Sequence, residues 1–169
     1  MAGGADNRPL SVNSGCIVRA ARERDLGAAL ALVAAKRPEN RALDRIPEIL
    51  EDALGRASSE YRVCVAERDG EFAGVGVYGL IAGTVGTAAL YTVIASGTKQ
   101  AGTGLAILER ILGELRSSGA RLVVAEFPGY PSLTSYRALL EAGGFVKESV
   151  VPDYYQDGVP LIQYRIDLN

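Results

Sequence analysis

The stretch TKQAGTG, Thr98 to Gly104, sets two glycines one residue apart between the apolar run ALYTVIA and the helical pattern LAILERILGEL. A loop that feeds a helix N-terminus lies beside backbone N–H groups without partners and at the positive end of the helix dipole, so it suits an anion. Gly102 and Gly104 carry no Cβ to hold a phosphate away, and Lys99 adds a formal positive charge at the rim. The alternative is a strand-to-helix turn in which the glycines serve geometry alone.

Two familiar nucleotide motifs fail on spacing. GTKQAG, Gly97 to Gly102, has the GxxxxG frame of a P-loop, but Thr103 and Gly104 follow in place of Lys-Ser/Thr, which removes the groups for the β/γ-phosphates and Mg²⁺. The dinucleotide fingerprint GxGxxG needs a third glycine where Ile107 stands, and the loop comes after a hairpin rather than in a first βαβ unit. NTP hydrolysis and hydride transfer are both disfavoured.

Composition narrows the chemistry further. The 169 residues include no histidine, which excludes a Ser-His-Asp or Cys-His nucleophile, a His-ligated zinc and a His general base. Acid–base work falls to Glu, Asp, Tyr, Lys, Cys or water. Cys16 and Cys64 form no CxxC pair and no metal-like cluster, as expected for a reducing compartment. A net charge of −2 supplies no global positive field for nucleic acid or an anionic membrane, so any anion site must be local. The N-terminal MAGGADNRPLSVNSG lacks a basic region followed by an apolar one, and no stretch approaches the roughly 20 apolar residues of a membrane span. The expectation is a cytoplasmic protein without nucleic-acid or membrane partners.

The elements that must position the loop follow from periodicity. Residues 1–15, rich in Gly, Asn, Ser and Pro, read as a flexible tail, and 16–169 as a single domain. CIVRAA predicts a strand, and RERDLGAALALVAAK a helix with Asp25 in its first turn. LDRIPEILEDAL predicts a second helix, whose Pro47 signals a start later than Leu43. The period then becomes two: YRVCVAE and EFAGVGVYGLIA are joined by the hairpin signal RDG, and TAALYTVIA is a further strand. The helix after the loop carries Leu105, Leu108, Ile111, Leu112 and Leu115 on one face. RLVVAEF predicts a buried strand, SLTSYRALLEAGGF a helix closed by Gly143 and Gly144, and VKESVVPDYYQDGVPLIQYRIDL a last hairpin. The order β α α β β β α β α β β is mixed α/β with one crossover through a helix.

KQAGTG, Lys99 to Gly104, resembles the R/Q-x-x-G-x-G/A loop of the GCN5-related N-acetyltransferases (GNAT family), with Lys in the first position. IVRAARERDLGAALALV resembles that family's opening strand and helix, RALLEAGGF its pre-terminal helix ending in Gly-Phe, and VVPDYYQDGVPLIQYRIDL the closing hairpin of one bacterial branch. The likeness runs from about Cys16 to Leu168. It implies an α/β fold with a mixed, mostly antiparallel central sheet, splayed between the fourth and fifth strands, flanked by helices and holding acetyl-CoA (coenzyme A) in the opening. Backbone groups around Val93, Ile94 and Ala95 would then pair with the pantetheine arm, and amides of Gln100, Ala101, Gly102, Thr103 and Gly104 would hold the pyrophosphate.

The implied reaction is direct attack of a primary amine, of a small molecule or a peptide, on the thioester in a ternary complex. It needs a base, donors for the developing oxyanion and an acid for the thiolate. The N–H near Ile94 is the candidate oxyanion donor. The fourth strand has no carboxylate, so Glu126, at the end of RLVVAEF, is the candidate base. Where many members carry a tyrosine, four residues before the Gly of Gly-Phe, this chain has Leu140; Tyr136, one turn earlier, and Tyr155 in PDYYQDG are the candidate acids. Tyr91 is either core or pocket wall, and Arg37, Glu39, Arg41 and Arg45 lie in the region that usually walls the acceptor cleft. The missing strand-four carboxylate and Leu140 also support a non-catalytic acyl-CoA-binding or sensing module, and a different nucleotide-loop protein is a third reading. Edge strands of the final hairpin offer a route to a homodimer.

Overall fold

The computed structural model describes residues 15–56 and 59–169, so positions 1–14 of the expected tail lie outside the described residues. The middle strands form because their side chains alternate between two buried faces. Val63, Val65, Val75 and Val77 pack on one side and Cys64, Ala66 and Tyr78 on the other. The chain builds one seven-stranded sheet in the order β1-β2-β3-β4-β5-β7-β6. Its strands are β1 (Cys16–Ala20), β2 (Tyr61–Arg68), β3 (Glu71–Leu80), β4 (Thr87–Ala95), β5 (Leu122–Pro128), β6 (Val146–Gln156) and β7 (Val159–Asp167). All neighbours are antiparallel except β4 and β5, which run parallel because helix α3 (Gln100–Ser117) carries the chain back between them. The sequence of strands and helices is the one periodicity predicts.

Helices α1 (Leu26–Lys36) and α2 (Ile46–Gly55) cover one face, where Val33, Ile49 and Leu50 meet Val65 and Val75. Pro47 occupies the first turn of α2, where its missing N–H costs nothing; Leu43 therefore falls in the preceding 3-10 turn. Helices α3 and α4 (Thr134–Ala142) cover the other face. Here Gly74 and Gly76 matter: a Cβ on Gly76 would lie 2.6 Å from Ile107 Cγ2 and 2.7 Å from Ile111 Cδ1, so glycine lets α3 settle directly on β3. Ile107 is consequently fully buried, whereas Leu105, expected in the buried row, is half-buried and borders a cleft.

The sheet opens between β4 and β5. These strands pair only from Thr87 to Leu90, against Leu122 to Ala125. The next residue, Tyr91, is the extra residue of a β-bulge: Leu90 pairs with Tyr78 of β3 and Thr92 with Val77. Beyond it β4 stays with β3, while Glu126, Phe127 and Pro128 pair with Gln163, Ile162 and Leu161 of β7. The two strands part, as the expected splay requires. Edge strand β6 is exposed along its length. No helix among the described residues is long and apolar enough to cross a membrane.

Candidate active site

The gap between the strands continues into a cleft of about 800 Å³. One wall is the open edge of β4 from Tyr91 to Ala95, the floor is the first turn of α3, and the far wall combines Glu126 and Phe127 of β5 with one face of α4. Of the residues singled out in the sequence, Val93, Ile94, Gln100, Ala101, Gly102, Gly104, Glu126 and Tyr136 meet here. Lys99, Thr103 and Tyr155 are not among its lining residues. A second cleft, of about 570 Å³, lies at the other end of β3, where the Tyr78 hydroxyl donates to Glu114 and Arg110 Nε donates to the same carboxylate at 2.6 Å. It contains none of the predicted site residues.

The glycine stretch is helical rather than a loop: α3 begins at Gln100, and its first helical bond runs from the Thr103 N–H to the Lys99 carbonyl at 3.1 Å. The N–H groups of Gln100, Ala101 and Gly102 precede that bond and so have no intrahelical acceptor. Lys99, at the N-cap position, offers no side-chain cap, and the first turn holds no acidic residue. The donor set facing the cleft is thus centred on three amides, with Thr103 engaged elsewhere. Its side chain has no exposed surface, and its hydroxyl accepts from Arg68 Nε at 3.2 Å and Nη2 at 3.0 Å. Gly104 serves the contact with α4, since a Cβ there would come within 3.3 Å of Leu139 Cδ2.

The candidate proton-transfer groups differ in surroundings. Glu126 is exposed and accepts a hydrogen bond from Gln163 Nε2 at 2.8 Å. Tyr136 meets Phe127 edge-on with ring centroids 5.2 Å apart, and burial pushes its phenol well above the usual range, so its hydroxyl is a neutral donor at physiological pH. Leu140, one turn on, is fully buried in the core. Tyr155 sits on the exposed β6 edge against Tyr154, ring centroids 5.1 Å apart; burial raises its pKa, and the charge of Glu126 raises it further. Tyr91 packs edge-on against Tyr61 at 5.4 Å and also faces the cleft, and its pKa is raised by burial. Cys64 is no nucleophile: burial drives its thiol up to about 12.

Sequence reasoning missed three contributors. Among the described residues, Lys36, at the end of α1, and Glu126 are the charged side chains lining the cleft, whereas Arg37, Arg41 and Arg45 are not in its lining, and Arg37 pairs with Asp44 at 3.1 Å; the side chain of Glu39 lies outside what the structure describes. Asn40 also lines it while capping the next turn through Oδ1, 3.0 Å from the Ala42 N–H. Thr92 is a buried polar residue on the β4 wall, displaced there by the bulge. Lys36 had one legible signal, its place at the end of an apolar helical period; the other two depend on tertiary pairing.

No family model matches the sequence, and no curated protein sequence matches it. Solved structures do. A GNAT-family protein from Desulfovibrio desulfuricans, assigned as an acetyltransferase, is 26% identical with a TM-score of 0.82, over 91% of this chain and 99% of that one. A Salmonella typhimurium protein solved with its cofactor acetyl-CoA is 20% identical with a TM-score of 0.74, over 92% of this chain and 95% of that one. A ribosomal-protein-alanine N-acetyltransferase from Brucella melitensis is 22% identical with a TM-score of 0.72, over 89% of this chain and 99% of that one.

Proposed function

We propose, from a chain that has the fold of the GCN5-related N-acetyltransferases, that it moves an acetyl group from acetyl-CoA to a primary amine of a small molecule or peptide. One observation carries this reading: the uncapped, cation-flanked start of α3 and the open edge of β4 beyond Leu90 border the same cleft. An extended molecule with a diphosphate at one end and peptide-like amides along its length needs both openings together. The N–H groups of Gln100, Ala101 and Gly102, with Lys99 at the rim, bind the diphosphate. Backbone groups of Val93 and Ala95 align the pantetheine arm as an added strand, and an N–H beside Ile94, whose own N–H points to Val75 of β3, faces the acyl oxygen. The same reading gives residues 16–169 one catalytic domain and a cytoplasmic location.

Acetyl-CoA supplies the activated thioester. Glu126 accepts the proton that the acceptor ammonium must lose before its nitrogen bonds to the acyl carbon, and Tyr136 donates to the sulfur as the C–S bond breaks. Solvent then returns both to their starting protonation. Tyr155, outside the cleft lining but near enough to feel the charge of Glu126, is the alternative donor. Substitution E126Q is expected to lower kcat by about 100-fold with little change in the KM for acetyl-CoA, and Y136F by about 10-fold.

The burial of Leu140 and the exposure of Glu126 favour a second reading, a module that binds acyl-CoA without transfer. Calorimetric binding of acetyl-CoA, paired with single-turnover release of free CoA over a panel of amines, separates the two. Binding with amine-dependent release supports the enzyme. Binding without release across a broad panel supports the module, and no binding at all sinks both.

A further inference from the structure

We propose that Arg68 is a positioning residue for the diphosphate site, fixing the first turn of α3 through the hydroxyl of Thr103; this rests on the acetyl-CoA reading. Arg68 is the last residue of β2, remote in sequence from the helix, yet both Nε and Nη2 reach the Thr103 oxygen, at 3.2 and 3.0 Å. Two donors from one rigid guanidinium onto one oxygen fix its plane as well as its position, which an ammonium would not do. Thr103 has no exposed surface and its own N–H is bound to the Lys99 carbonyl, so holding Thr103 also holds the adjoining Gln100, Ala101 and Gly102 amides in direction.

The charge is as informative as the geometry. A cation at a helix N-terminus opposes the dipole, and a helix stabilised only for its own sake would carry a carboxylate there. The first turn of α3 has no acidic residue, and Arg68 forms no ion pair among the described residues. A half-buried guanidinium without a counter-ion beside a row of open amides suits a site whose negative charge arrives from outside. Thr103 faces away from the cleft lining, so Arg68 acts through the helix.

Calorimetric titration of CoA and of 3′-dephospho-CoA into wild type, R68M, R68K, T103V and T103S, each with a melting curve, tests the assignment. R68M should weaken both ligands about 10-fold and T103V about 5-fold. R68K, which keeps charge without the fork, should fall between R68M and wild type, and T103S should regain most of the T103V loss. Melting temperatures should stay within about 2 °C of wild type. Should R68M prove too unstable to titrate, the T103V and T103S pair decides alone. Wild-type affinity in both R68M and T103V overturns the proposal, as does equal weakness of T103S and T103V, which would make buried shape rather than the hydroxyl the cause. A loss confined to CoA, with 3′-dephospho-CoA unaffected, also overturns it, since Arg68 would then touch the 3′-phosphate. Failure of wild type to bind either ligand would instead remove the acetyl-CoA reading itself.

Discussion

The starts of α1 and α3 solve the same problem in opposite ways. Ahead of α1, a 3-10 turn carries Glu23 and Asp25, and Asp25 takes the Arg22 N–H at 2.7 Å while Arg19 grips both its oxygens at 2.7 and 2.9 Å. Open donors are met by a carboxylate, and that carboxylate is held by a cation from β1. A 3-10 turn also leads into α2 and into α4, where Ile46 and Thr134 donate to Leu43 and Pro131. Helix α3 is entered straight from the loop after β4, with no carboxylate, no side-chain cap and two cations, Lys99 and Arg68, around it. One start is complete within the chain; the other has no side-chain cap and no carboxylate in its first turn.

The contrast can be broken from either side. Placing a carboxylate in the first turn of α3, with A101E, gives α3 what α1 already has. CoA affinity should fall by about 100-fold, read by calorimetry, while thermal stability holds or rises by about 0.5 kcal/mol. Removing the carboxylate at α1, with D25N, should do the reverse: about 2 kcal/mol of stability lost in urea unfolding because Arg19 is left half-paired, with CoA affinity unchanged. This prediction has a pH signature. The Arg19 fork, helped by the Arg22 N–H and opposed by desolvation, holds Asp25 below the usual carboxylate range. Its folded-state pKa is therefore depressed, so its stabilisation is present above about pH 4 and is lost as pH falls through the folded value; D25N should flatten that acid limb. The smallest effect is expected for K99A, about a 4-fold loss of CoA affinity that shrinks as salt rises from 50 to 300 mM, since Lys99 is an exposed rim charge.

The same region shows how far sequence reaches. The bounds of β4 were legible because TAALYTVIA is a largely apolar run, broken after its first residue only by Thr92, and Pro47 correctly marked a late start for α2. The start of α3 was not, because glycine costs a helix interior about 1 kcal/mol relative to alanine and so reads as loop. Packing offsets that preference at Gly104, where a Cβ would come within 3.3 Å of Leu139 Cδ2. The bulge at Tyr91, which opens the sheet and turns Thr92 into the cleft, depends on how β4 registers against β3 and has no local signature. The Arg68 to Thr103 contact spans 35 residues and joins two elements on different sides of a hairpin. Glu126 was picked as the carboxylate at the end of its strand, and Tyr136 as the tyrosine one turn before Leu140, where the resemblance implies one; the structure brings both to one cleft.

The most direct measurement is an amide-resolved titration of the ¹⁵N-labelled protein with CoA. The account predicts saturable downfield shifts at the N–H groups of Gln100, Ala101 and Gly102, with Asp25 and its neighbours silent. Saturable CoA binding that leaves those three amides unmoved would contradict it.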